Sequence, residues 1–200
     1  MIRFLCILTA CALLIACDNP SISSHEQKNS PPQVTIDSPL SEIQNSAIKG
    51  DGAAQALMGV IYQNGLQGVR RDDFAAFEWF RKSADSGDSN GQSNLGHVYC
   101  AGKGVRKDEV LGAKFLLMAA EKGNMYAQFN IGKCFRDGEG VIKNDVEAYK
   151  WLLISGSQGN TSAKWVIEDL EPKLSQSQRE EGQKRAKEFV SKDSRKSSGK

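Results

Sequence analysis

The stretch GVRRD at Gly68–Asp72 returns as GVRKD at Gly104–Asp108 and again as GVIKN at Gly140–Asn144, each copy 36 residues after the last. The same step relates Trp79, Phe115 and Trp151, and it relates Gly87, Gly123 and Gly159. A second motif precedes each copy: MGVIY at Met58–Tyr62, LGHVY at Leu95–Tyr99 and IGKCF at Ile131–Phe135. The first unit has one extra residue in its loop, QNGLQGV against CAGKGV and RDGEGV. A fixed period of this length marks one supersecondary unit used repeatedly. Such a unit cannot bury its apolar face alone, so neighbouring copies must stack.

Each unit reads as helix A, a Gly-rich loop and helix B. In helix B the apolar or small columns are Phe74/Val110/Val146, Ala76/Gly112/Ala148, Phe80/Leu116/Leu152 and Ala84/Ala120/Gly156. Their spacing predicts one buried face. Asp72, Asp108 and Asn144 precede helix B, where a short polar side chain accepts from free backbone N–H groups. Gly87, Gly123 and Gly159 suit the left-handed turn that closes it. Gly59, Gly96 and Gly132 fall inside helix A, where glycine costs about 1 kcal/mol relative to alanine. A cost taken at one phase of every unit predicts a neighbouring helix too close for a Cβ.

These motifs resemble the Sel-one-like repeat, a relative of the tetratricopeptide repeat, over about Ser41 to Val190. The resemblance implies an all-α, right-handed α-solenoid of helix-pair repeats with capping helices, its units at about 51–87, 88–123 and 124–159 and a partial unit at 160–190. It also implies that helix A lines the concave face. The outward columns of helix A that vary most are Leu57/Asn94/Asn130, Val60/His97/Lys133 and Asn64/Ala101/Asp137. A repeating frame with a varying outward set is what a binding groove needs. Leu57, Val60, Asn94, His97, Ala101, Asn130, Lys133 and Asp137 are therefore the candidate contacts with a partner protein.

The ends of the array read as caps. Ser41-Glu42-Ile43-Gln44 fits a capping box, and Ile43, Ala47 and Gly50 align with Phe80, Ala84 and Gly87 as a lone helix B. Ala163 and Ile167 begin a fourth helix A that stops before Pro172, and a last helix runs from Ser175 to about Val190. Leu117-Met118 and Leu153-Ile154 stand where the first unit has Arg81-Lys82. Left exposed, they form an apolar patch for a partner or a lipid surface; Ala186, Phe189 and Val190 are placed to cover Leu153 and Ile154. Residues 191–200, basic residues among serines, read as a solvated tail.

At the other end, Arg3 and the apolar run Phe4–Ala16 are too short to span a bilayer, which takes about twenty residues, and fit the core of a secretory signal peptide (1–16). Leu14-Ile15-Ala16-Cys17 resembles a bacterial lipobox. The resemblance implies cleavage between Ala16 and Cys17, a diacylglycerol thioether on Cys17 and acylation of the new amine. Leu8-Thr9-Ala10-Cys11 is a second match with too little apolar chain before it, and a plain signal anchor is the other reading. Asp18 resembles an inner-membrane retention signal, with the outer membrane as the alternative. Residues 17–40, rich in Ser, Asn and Pro, read as the acylated cysteine and a disordered tether.

No specific catalytic constellation is present: the chain has no HExxH, GxSxG or Walker-type loop. A net charge of +2 gives no global field for nucleic acid. His97, Cys100 and Cys134 are too few and too divergent for a metal site, and neither metal nor cofactor is expected. A Cys100–Cys134 disulfide is disfavoured because the two occupy non-equivalent heights on neighbouring units. The expectation is a membrane-anchored periplasmic lipoprotein that is not an enzyme and binds another protein in its groove. Its role would be that of an adaptor, an assembly factor or an immunity factor against a toxic effector such as a lipase. The alternative is a cell-wall- or β-lactam-related enzyme of the cysteine-rich branch of the family, whose two cysteines per repeat this chain lacks.

Overall fold

Helix A and helix B alternate along a stack in the computed structural model, which describes residues 34–198, with side chains through 192. The signal-like segment, Cys17 and the tether as far as residue 33 lie outside the described residues. Within them are α1 (Leu40–Ile48), α2 (Gly52–Asn64), α3 (Asp73–Asp85), α4 (Ser89–Ala101), α5 (Glu109–Glu121), α6 (Met125–Asp137), α7 (Asp145–Ser157), α8 (Thr161–Leu170) and α9 (Gln176–Ser198), with a short 3-10 turn at Glu171–Lys173 and no strand. The A helices are α2, α4, α6 and α8; the B helices are α1, α3, α5 and α7.

Short polar residues start these helices. Asp72, Asp108 and Asn144 accept from backbone N–H groups in the first turn of α3, α5 and α7 at 2.9–3.0 Å. A second set not anticipated from the motifs, Asp51, Asp88, Asn124 and Asn160, does the same for the A helices. Each A helix of a full unit ends on a left-handed glycine, Gly65, Gly102 or Gly138. Every side-chain cap therefore satisfies a donor that the helix cannot satisfy internally.

The core continues across the seams between units. Ile43 and Ala47 of α1 pack with Ala54, Met58 and Ile61 of α2. Ala76, Phe77, Phe80 and Ala84 of α3 pack with Leu95 and Val98 of α4, and α5 and α7 repeat the pattern against α6 and α8. A buried amide ties the same seams: Gln55 donates to Ala47 O at 3.0 Å and Gln128 to Ala120 O at 3.2 Å.

Inside each unit the helix-A glycine is the point of closest crossing. A Cβ on Gly96 would stand 2.8 Å from Gly112 O and 2.9 Å from Leu116 N. On Gly59 it would enter the ring of buried Phe80, and on Gly132 it would meet Leu152 Cγ at 2.9 Å. The close approach expected from the glycine column is therefore present in all three units.

Four expectations need correction. Phe74 and Val110 are 63% and 70% exposed, because a step of two residues from 74 to 76 turns the helix by about 200°. The buried column is Phe77/Ala113/Tyr149 instead. Ser41 forms no capping box, since α1 already begins at Leu40 behind Pro39, with no side-chain cap. The ordered chain starts before residue 41: Val34 and Ile36 pack on the first core cluster, and Gln67 donates to Ile36 O at 2.6 Å and Ser38 O at 3.1 Å. Gln67 belongs to the lengthened loop of the first unit and takes φ +53°, so that loop serves as a clamp. Finally, α9 continues beyond Val190 to Ser198 as helix, where a tail was expected.

The C-terminal cap is built on α7. Trp151 and Phe189 meet edge to face at 5.1 Å, and Arg185 of α9 bridges Glu147 at 2.6 Å and Glu181 at 2.7 Å. Ile154 is buried and Leu153 half-buried, and both line a cavity of about 610 Å³ with Ala186 and Val190 of α9. Leu117 is half-buried against the core, and Met118 stands 37% exposed. No helix among the described residues is long and apolar enough to cross a membrane.

Candidate functional site

Successive A helices touch, α2 against α4 and α4 against α6, whereas no comparable approach joins α3 to α5 or α5 to α7. A stack whose A helices lie closer together than its B helices curves with the A helices inside. On that inner face lies a cavity of about 580 Å³, lined by α2, α4 and α6 and by Val34. A smaller one of about 180 Å³ shares His97 and Asn130 with it.

Leu57, Val60, Asn94, His97 and Asn130 line the larger cavity, and Ala101 and Lys133 line the smaller. Asp137 lines neither. Its carboxylate is held by Arg136 at 2.7 and 2.8 Å, and that contact keeps its pKa below the usual carboxylate range. The motifs did not single out Ala53, Asn90 and Tyr126, which form another variable column on the same wall. The contrast among alanine, asparagine and a tyrosine 65% exposed was the available signal.

The lining is rich in carboxamides. Asn124 donates to Asn90 at 2.9 Å while its own oxygen caps α6. The side chains of Asn94 and Asn130 make no hydrogen bond among the described residues. A free carboxamide offers two donors and an acceptor, the same pair of functions that a peptide bond presents. His97, at the junction of the two cavities, is held below its ordinary pKa by partial burial and then by Lys103 and Lys133. That shift favours the neutral imidazole, which can donate or accept a hydrogen bond.

The two folded-domain cysteines are free thiols. They approach each other as the expected heights did not allow, both lining the smaller cavity, with Cys100 packed on the cluster that contains Cys134. The Cys134 S–H lowers the pKa of Cys100, while the contact with Cys100 and then burial push the Cys134 thiol far up. Among the described residues no three His, Cys, Asp or Glu side chains converge as a metal site would require.

A family model for the Sel1 repeat matches residues 52–88, 89–124 and 126–160, more than half of the chain. The chain belongs to the Sel1 repeat family. A Sel1 repeat protein from Oxalobacter formigenes has the same fold at 36% identity and TM-score 0.58, covering 65% of this chain and 97% of that one. A protein of uropathogenic Escherichia coli described as a protective antigen displaying an SLR fold aligns at 25% identity and TM-score 0.58, over 76% of this chain and 40% of its own. Helicobacter pylori cysteine rich protein B, at 21% identity and TM-score 0.50, shares the fold over 62% of this chain and 94% of its own. Among curated proteins, a component of an ERAD-associated E3 ubiquitin-protein ligase from Arabidopsis thaliana, HRD3A, is 37% identical over 60 residues. That match spans 30% of this chain and 9% of the relative. Sel1 repeat proteins mediate protein–protein interaction, which supports a repeat-groove binder in general.

Proposed function

We propose that the chain is a lipoprotein held to a bacterial membrane through Cys17, facing the periplasm, and that it binds one protein in the concave groove. The observation that carries the binding role is the pair of unengaged carboxamides, Asn94 and Asn130, on a curved wall of varying residues. A polypeptide backbone or polar side chains match them, and Leu57, Val60 and Tyr126 supply apolar contact beside them. The lipobox-like Leu14–Cys17 supports the anchor, since two or three acyl chains hold a protein stably where one does not.

Within that role, we favour an immunity factor that neutralises a toxic effector of the lipase type. It predicts that a gene beside this one encodes such an enzyme. Co-expressing the two tests the reading. Co-purification and loss of lipase activity are expected, with both abolished by Asn94→Arg together with Asn130→Arg. An active lipase that passes free of this protein would overturn it.

A further inference from the structure

Cys100 and Cys134 come from different units and were not expected to meet, yet their side chains share one place in the stack. Both line the 180 Å³ cavity between α4 and α6. Cys100 packs on the cluster to which Cys134 belongs. Gly112 of α5 leaves room for the Cys100 sulfur, because a Cβ there would fall on Sγ. The helices that carry the two thiols come within 8 Å of one another, Cα to Cα, and a disulfide takes a Cα separation of about 4.4–6.8 Å.

We propose that Cys100 and Cys134 are a thiol–disulfide exchange site that closes, on reaction with a small-molecule or protein disulfide, into a bond linking the second and third repeats. The Cys100 thiolate attacks one sulfur of the incoming disulfide, forming a mixed disulfide and expelling the first thiolate. Cys134, deprotonated, then attacks the Cys100 sulfur, forms the Cys100–Cys134 bond and expels the second thiolate. Two protein thiols lose two protons and two electrons, and the incoming disulfide leaves as two thiols. Cys100 is the first nucleophile because it is the more accessible and the more acidic of the two. The bond ties the last turns of α4 and α6, and so fixes the spacing of two walls of the groove. This chemistry does not depend on which partner the groove holds.

The test uses the purified full chain in glutathione buffers from fully reduced to fully oxidised, quenched with acid, alkylated and digested without reduction. In oxidised buffer the peptides carrying Cys100 and Cys134 should appear joined, two hydrogens lighter than the sum of the free thiol forms. The melting temperature should rise by about 5–10 °C, from the constraint on the unfolded loop. Cys134→Ser should leave Cys100 as a mixed disulfide with glutathione, whereas Cys100→Ser should leave Cys134 largely unreacted. Two free thiols in the folded, oxidised protein, or bonds only to Cys6, Cys11, Cys17 or a second molecule, would overturn the proposal.

Discussion

Replacing Gly96 by alanine sets two effects of opposite sign against each other. Helix propensity alone makes the change stabilising by about 1 kcal/mol. The structure opposes it: the added Cβ would stand 2.8 Å from Gly112 O and 2.9 Å from Leu116 N, both backbone atoms of α5. Relief requires α4 and α5 to separate along their whole crossing, and such overpacking costs about 3 kcal/mol at the upper end of the usual range. The net loss is about 2 kcal/mol, or a fall in melting temperature of about 4–8 °C. Gly132 supplies the control within the same protein. Its added Cβ meets Leu152 Cγ and Cδ2 at 2.9 and 3.2 Å and comes no closer than 3.4 Å to backbone. A leucine side chain adjusts more cheaply, so Gly132→Ala should change the melting temperature by less than half as much. Thermal denaturation followed by circular dichroism reads both variants, and Gly96→Leu should lose more than Gly96→Ala. A Gly96→Ala protein that melts higher than the parent would refute the close-crossing argument.

Other consequences are accessible to the same methods. Asp108→Ala removes the acceptor for Leu111 N at the start of α5 and should cost about 1 kcal/mol in a denaturant titration. Burial pushes the Glu147 carboxyl up, but hydrogen bonds from Arg185 and Lys150 outweigh it and hold its pKa below the ordinary value of 4.5. A depressed carboxylate contributes stability that is present above the ordinary value and lost as pH falls through the folded one. Amide exchange in α9 should therefore speed up selectively below about pH 4, and Glu147→Gln should show fast exchange already at pH 7. Gln67→Ala should release residues 34–38, seen as loss of exchange protection there with α4 to α8 unchanged. Cys17→Ala should shift the protein from the membrane to the soluble fraction, and a protein still at the membrane would contradict the lipid anchor.

Features set by local chemistry were legible in the sequence. The helix-A glycines, the caps of helix B and the closing glycines each answer to a contact within a turn or one neighbouring helix, so they recur at one phase. The column Phe77/Ala113/Tyr149 was hidden because its members differ so much in size, while Phe74, Val110 and Val146 look alike and lie largely toward solvent. Contacts made across the chain left no local trace. Gln67 reaches back 31 residues to the segment before α1, and Cys100 meets Cys134 only because the curvature of the stack brings the A helices together. In the groove, variation among equivalent positions found most of the wall. It missed Asn124, whose role as a helix cap conceals a second one, and it included Asp137, which Arg136 engages instead.

The central claim is that the inner wall, and not the outer one, receives another protein. Photo-crosslinking amino acids placed singly in living cells test it most directly, at Asn94 and Asn130 on the inner wall and at half-buried Glu78 and exposed Lys114 on the B helices. The account predicts that the inner positions capture one and the same protein and that the outer positions do not. Equal capture from both faces, or capture from the outer face alone, would contradict it.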